Sequence, residues 1–487
     1  MRNRIAFFQR RALPLVLAAA GLLACGLVSG CMVGPDYVRP TIDVPERFRF
    51  ADSETRELAN ALWWEQFEDP ALDELIGIAL AENFDVRIAA ARVEEFYGAL
   101  GVMRSGLFPQ AGAEAVVGRE RVPPNSPSDS MRVDAFAAWE IDIFGRLRRL
   151  TEASRADLLA SEEGRRFAVL SLTSAVASTY ITLRTLDAQL EIARRTLTSR
   201  EGALRIFEAR HRRGAISEIE LSQARSEYAT ALATIPPLEQ QQAQVENALS
   251  VILGRNPGPI PRGRTVEEMT LPAVPEGLPS EILERRPDLR QAELNLVAAN
   301  ARIGAAKALY FPSISLTGLF GSASNSFDDL FSGPAELWSY AGAVTGPIFT
   351  GGGIAGQVRI AEARQQQALF AYQRAIRVAF QEVEDALIAG QKSREGLAAQ
   401  ELRVDALRTY ARLAHLRFDN GYSGYIEVLD AERGLFAAEL DYTRVKSDTY
   451  FALIDLYKTM GGGWVVEASG MAPQPRVSLA TDPRPFP

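Results

Sequence analysis

Two stretches of nearly 70 residues, 145–213 and 353–420, contain no proline, and each is followed by a glycine, Gly214 and Gly421. In the first, Leu172, Val176, Leu183, Leu186, Leu190, Ala193 and Leu197 recur at intervals of 4, 7, 3, 4, 3 and 4, the spacing of a coiled-coil seam. A helix of that length reaches roughly 100 Å, whereas globular helices stop near about 20 residues. After each glycine comes a related stretch, "GAISEIELSQAR" from Gly214 and "GYSGYIEVLDAE" from Gly421, 207 residues apart. Ile219 matches Ile426, Glu220 matches Glu427 and Ala224 matches Ala431. Each glycine suits the position just past a helix C-terminus. Ser217, with Glu220 three residues on, forms a capping box that starts a return helix. That helix is expected to break or kink at Pro236-Pro237 and to resume through "LEQQQAQVENALSVILG".

The segments before the long runs repeat as well. Residues 58–105 read as helical, with Leu72, Leu75, Ile76, Ala79 and Leu80 on one stripe. Residues 106–144 change period. Val133, Ala135, Ala137, Trp139, Ile141 and Ile143 alternate with Asp134, Phe136, Ala138, Glu140 and Asp142, a strand with one mostly apolar face. With "FPQAGAEAVVGRER" across the turn "VPPNSPSDS" it makes a hairpin. A helix over about 280–308 and the pair "FPSISLTGLFGSAS" and "LWSYAGAVTGPIF" repeat the order. "LFPQ" at 107 answers "YFPS" at 310, and "DIF" at 142 answers "PIF" at 347. "GRLRR" at 145–149 and "TGGG" at 350–353 mark strand-to-helix corners. The chain thus divides into a signal segment 1–30, an N-terminal segment 31–57 and a first repeat 58–254 with strands at about 111–143. A connector 255–279, a second repeat 280–463 with strands at about 312–349, and a tail 464–487 follow. An ordered set of this kind marks an internal duplication.

Four strands of about 10–13 residues have the length of tilted membrane-spanning strands. Four cannot close a barrel, the smallest transmembrane barrels use about eight, and lipid tolerates no open edge. Strands of this kind in a membrane therefore require several copies. Two copies give eight strands and a filled interior; three give twelve and a hollow. The long helices are charged, amphipathic and too long to lie in the bilayer, and would extend the barrel as a periplasmic tube.

The N-terminus reads as an export signal. Arg2, Arg4, Arg10 and Arg11 precede an apolar run from Leu13 to Val28 that ends in "VSGC". A small-residue site before a cysteine resembles a bacterial lipoprotein signal, with Cys31 as the lipidated first mature residue; Cys25 is a second candidate, and an ordinary secretory signal the alternative. Met32 follows, not aspartate, so by that resemblance the destination is the outer membrane. Disulfides do not hold the mature chain together, since only Cys31 remains in it. No later apolar run reads as long enough to span a bilayer as a helix. A net charge of −8 argues against a nucleic-acid partner.

"CMVGPDYVRP" at 31, "WWEQFEDPALDELI" at 63, "ERRPDLRQAE" at 284 and "GYSGYIEVLDAE" at 421 together resemble an outer-membrane efflux channel of the TolC superfamily, specifically an OprM-like (NodT-type) lipoprotein. The pieces span nearly the whole mature chain. The resemblance implies an α+β membrane protein: a homotrimer with a 12-stranded barrel in outer-membrane lipid and a 12-helix periplasmic tunnel. It implies a periplasmic adaptor and an inner-membrane pump, of RND type, as partners. The chain would be the passive exit duct of a tripartite pump, with no cofactor beyond the lipid on Cys31.

The family's gate residues are acidic side chains at the periplasmic tip, and the matching positions are Glu427 and Asp430. Three residues apart, they share a helix face. Repeated by symmetry they would form carboxylate rings, which favour cations and raise one another's pKa. The first repeat offers Glu220 and Gln223 instead. A capping role stands beside the gate role: Glu220 fits position N3 behind Ser217, and Glu427 fits it behind Gly424, whereas Asp430 lies deeper than a cap requires. The family's tip arginine is matched by Ser423, which puts that contact in doubt. Gly214, Ser217, Gly421, Tyr422 and Gly424 form the tip turns, where an adaptor would dock; Tyr422 and Tyr425 are weaker candidates for closure or docking. His211 and His415 read as solvated rather than metal-bound. Trp63 and Trp64 read as anchors of an equatorial region, and "RRPD" at 285–288 as a helix start.

No nucleophile–histidine pair, phosphate loop or metal cluster is legible, so an enzyme is the least supported class. "GGG" at 461–463 lacks a strand before it. A non-porous envelope strut would need no membrane-length strands. The exit of a type I protein secretion system is the alternative within the duct class.

Overall fold

The structure, a computed structural model, describes residues 32–50, 62–121, 123, 127–271, 279–461 and 464–476. The signal segment, Cys25 and Cys31 lie outside the described residues. The duplication appears in the elements themselves. A 3-10 turn (Trp63–Phe67) leads to α1 (Pro70–Glu82), α2 (Phe84–Ser105), β1 (Gln110–Glu120), β2 (Ser128–Ile141), α3 (Arg146–Arg212) and α4 (Glu218–Ile252). The second half runs α5 (Pro279–Arg285), α6 (Pro287–Ala308), β3 (Ser313–Ser324), β4 (Glu336–Thr345), α7 (Gly353–Asp419), α8 (Tyr425–Met460) and α9 (Trp464–Met471). The long helices α3 and α7 have 67 residues each.

Several boundaries differ from the sequence reading. The stretch around 58–105 is three elements rather than one. Asp69 accepts the amide of Ala71 and, with Pro70 behind it, starts α1. Asn83 then ends α1, and its side chain accepts the amide of Val86 to start α2. The helix over 280–308 is likewise two, divided at Arg286 before Pro287, because a residue preceding proline avoids the helical region. Pro236-Pro237 does not break α4, which runs through both. The carbonyls of Leu232 and Ala233, which lose their partners, belong to exposed residues within reach of water. The segment after 463 is not all tail, since α9 is packed into the core.

The chain forms two compact units. The first holds the sheet, residues 93–161 and 291–373, and the segment up to 41. Its helices meet on small residues, Ala153 and Ala156 of α3 against Ala298 and Ala301 of α6. Arg149, 2 % exposed, donates to Asp36 at 2.7 Å and Glu152 at 2.8 Å. Tyr37 and Arg39 donate to Glu293 at 3.1 and 2.8 Å. The described start of the chain is thereby fastened to α3 and α6.

The second unit holds 42–92, 162–290 and 374–487. Its core centres on Trp63, which is fully buried, stacks on Tyr457 at 5.6 Å and meets Trp64, Phe67 and Trp464 edge-on. The stripe Leu72, Leu75, Ile76, Ala79 and Leu80 faces this core as its spacing implies. Of the seam residues in α3, Leu172 through Ala193 are buried and Leu197 half-buried. One 18-residue window of α3 would pass for a membrane span by length and hydropathy, contrary to the sequence reading; 56 % of it is buried inside the protein. Val169, Leu170, Val176, Ala177 and Ile181 of the same helix are core residues. Arg286, 6 % exposed, donates to Asp288 at 2.8 Å, Glu382 at 2.7 Å and the carbonyl of Thr459 at 3.2 Å. "RRPD" is therefore both a helix start and a junction of α6, α7 and α8.

If α9 belongs to the core, Trp464→Ala should cost about 3–5 kcal/mol, the range for truncating a large buried aromatic. The measurement is the denaturant midpoint of the solubilised protein, and an unchanged midpoint would make α9 a dispensable appendage.

Candidate functional site: sheet faces and helical tips

Two features carry functional geometry, one in each unit. The first is the sheet, antiparallel throughout in the order β1-β2-β3-β4. Pairing of β2 with β3 joins the two repeats into one sheet. Among the described residues, the outer edges of β1 and β4 have no strand partner. The register sorts the side chains into two faces. On one, Ala113, Ala135, Phe320 and Trp338 stand in one row, and Ala111, Ala137, Gly318 and Tyr340 in the next. Val133, Trp139, Leu316 and Val344 extend this face, and all are more than a third exposed. The other face carries Gln110, Glu114, Arg132, Asp134, Ser315, Thr317 and Ser339, with Phe136 and Leu319 among them. An apolar face of this area left bare in water would be an aggregation hazard; one apolar and one polar face is the pattern of a transmembrane barrel strand.

The second feature is the pair of helical hairpins. In the first, the amide of Ala215 returns to the carbonyl of Arg210 at 3.0 Å; in the second, that of Tyr422 returns to Arg417 at 2.8 Å. Both are Schellman turns, and Gly214 and Gly421 take the left-handed conformation these require, with φ of +69° and +76°. The capping box forms in full: Ser217 accepts from the amide of Glu220, whose carboxylate accepts from the amide of Ser217 at 2.8 Å. Gly424 occupies the matching N-cap without a side-chain bond. Glu427 makes a different bond, accepting from Arg417 of α7 at 3.1 Å. So the tip does hold an arginine, on the opposite arm of the hairpin from Ser423. Asp430 is exposed while Val428, Leu429 and Ala431 beside it are buried, and it accepts the hydroxyl of Tyr410 at 3.2 Å. Burial first, and then this bond, raise the Tyr410 pKa.

The hairpins share one core: Phe207, Leu221 and Ala224 of the first against Ala414, Tyr425, Val428 and Leu429 of the second. Tyr425 is 6 % exposed, lies 4.1 Å from the ring of Phe207, and has its hydroxyl pushed up to about 12 by burial. It is a core residue and not a docking one, whereas Tyr422 is 78 % exposed. Beneath this core Glu227 of α4, 4 % exposed, holds Arg200 of α3 at 3.0 Å and Arg433 of α8 on its other oxygen. The bond to Glu227 raises the Arg433 pKa. The histidines are not merely solvated. His211 meets Glu218 at 3.0 Å and His415 meets Glu432 at 2.7 Å, each contact spanning the two arms of its own hairpin. Sequence spacing could not reveal these pairs, because their partners lie across a turn or on the other repeat.

Chains of this description are known. The family described as "Outer membrane efflux protein" matches residues 75–255 and 278–462. The solvent efflux pump outer membrane protein SrpC of Pseudomonas putida is 36 % identical over 460 residues, 91 % of this chain and 98 % of the relative. The cation efflux system protein CusC of Escherichia coli O6:H1 is 36 % identical over 453 residues, 90 % of this chain and 96 % of the relative. The open state of the MtrE outer membrane channel of Neisseria gonorrhoeae superposes with a TM-score of 0.83 at 34 % identity, covering 89 % of this chain and 99 % of that one.

Glu227→Ala should strand the buried Arg200 and cost about 3–5 kcal/mol. Amide exchange in α4 and α8 near the tips should accelerate while the sheet stays protected; exchange that is unchanged there would remove Glu227 as the tie between hairpins.

Proposed function

We propose, since the chain belongs to the outer membrane efflux protein family, that three copies form the outer-membrane exit duct of a tripartite efflux pump. It is an outer-membrane channel protein with a TolC-like fold built on a duplicated unit. The observation that carries the duct is the sheet: among the described residues, four strands, two edges without partners, one apolar face and one polar face. In three copies β4 of each would pair with β1 of the next, giving twelve strands around a hollow, with the apolar face in lipid and the polar face lining the channel. The helical hairpins would form the periplasmic entrance and receive the adaptor, and the inner-membrane pump would supply the energy.

The cargo reading follows the relatives. SrpC is named for solvent efflux and CusC for cation efflux, so small molecules or ions exported by the pump are the substrate class, ahead of secreted proteins. Lipid on Cys31 would anchor the same end of the chain that Arg149 and Glu293 fasten to the helices. At the entrance, Asp430 and Glu427 are the gate residues. Asp430 is the better placed, being exposed and accepting a bond from Tyr410, while Glu427 is occupied by Arg417.

Single-channel conductance in planar bilayers tests this reading. The native protein should conduct weakly and Asp430→Ser should conduct several times more. A large native conductance unchanged by the substitution would keep the duct and remove Asp430 as its gate. Absence of conductance from inserted protein in both cases would overturn the duct.

A further inference from the structure

The polar face of the sheet departs from its own pattern at Phe136. Its ring lies over Gly112 of β1: a Cβ there would stand 2.5 Å from it. On the other side Phe136 is in register with Leu319 of β3. Phe136 remains 43 % exposed, so its own chain does not cover it. One step toward the strand loops, Glu114 stands opposite Asp134, and Asp134 opposite Gly321. Asp134 is 3 % exposed because it lies on that glycine, where a Cβ would stand 2.5 Å from its own Cβ. Arg132, on the same face, donates to both of its carboxylate oxygens. This guanidinium neutralises Asp134 and fixes it. Glu114 is exposed and left to carry a net negative charge. An aromatic–aliphatic row thus lies directly beside a net acidic row, on a face where Val116 and Leu337 are further apolar side chains among small and polar ones.

We propose that Phe136, Leu319 and Glu114 form a specificity-determining contact for cationic amphiphiles inside the barrel. The inference rests on the duct reading above, in which this face lines the channel. Three copies would place three such patches at one level around it. The carboxylate draws the cationic group, as acidic rings do in cation-selective pores. The ring of Phe136 and the side chain of Leu319 receive the apolar body, and the ring face adds attraction for the cation itself. Arg132 and Asp134 are positioning residues: they fill the level beside Glu114 without adding net charge. Gly112 and Gly321 are the small residues that let Phe136 and Asp134 lie flat against the wall.

The test uses full-length trimers in planar bilayers bathed in a KCl gradient. Benzyltrimethylammonium and tetramethylammonium, equal in charge and unlike in apolar surface, are added on the side of the strand loops. In the native duct benzyltrimethylammonium should block at concentrations about two- to fivefold lower than tetramethylammonium, the factor an exposed cation–ring contact supplies. Phe136→Ala should erase that difference and leave the reversal potential in place. Phe136→Leu, which keeps the strand filled, should erase most of it as well and serves if the alanine variant does not assemble. Glu114→Gln should weaken both blocks and move the reversal potential toward lower cation preference. Native discrimination that survives all three substitutions would overturn the proposal while leaving the duct intact, as would native trimers that do not distinguish the two cations. Trimers that insert and never conduct would instead overturn the duct.

Discussion

Unsatisfied backbone at the edges of one small sheet governs the rest of this protein. Each bare edge of β1 and β4 presents a row of amides and carbonyls, and in hydrocarbon every such group left without a partner costs several kcal/mol, on the order of the penalty for burying an amide. The apolar face across Ala113, Val133, Phe320 and Trp338 cannot remain in water, and the edges cannot remain single in lipid. Both demands are met only when copies pair edge to edge. The internal duplication serves that end, since β2 and β3 join the two hairpins and leave β1 and β4 as the outer strands. In the proposed duct, assembly is then a condition of stability in the membrane.

The helical hairpins face the opposite requirement. In the proposed duct they must hold together and yet leave an entrance that can change. The shared core of Phe207, Tyr425 and Val428 is buried, and beneath it the buried Glu227 pairs with buried Arg200 and with Arg433 at the surface. The bonds nearer the surface, Arg417 to Glu427 and Tyr410 to Asp430, are exposed and individually weak. The division places rigidity inside each hairpin pair and leaves the outer carboxylates on contacts that are inexpensive to exchange.

Much of this was legible in the residues. The 67-residue helices followed from the absence of proline, and their ends from Gly214 and Gly421. The capping box at Ser217 and the stripe from Leu72 to Leu80 obeyed local rules. What escaped depends on tertiary partners. Tyr425 resembled an exposed tip residue because Phe207, its partner, lies in the other repeat. Trp464 sat in an apparent tail because a short helix after Gly461 has too few residues for a period to show, and its reason for folding is Trp63. Pro236-Pro237 argued for a break that did not occur, since exposed carbonyls can turn to water. Asn83 divided a helical run by closing α1 with its backbone amide and starting α2 with its side chain, which propensity alone does not reveal.

The central proposal is that three copies satisfy the edges and leave a hollow. Native mass spectrometry of the protein released intact from detergent tests it most directly. The account predicts a particle of three chains that persists when the helical tips are loosened by substitution. A particle of two chains, whose eight strands would close on a filled interior, or a stable single chain with its edges bare, would contradict it.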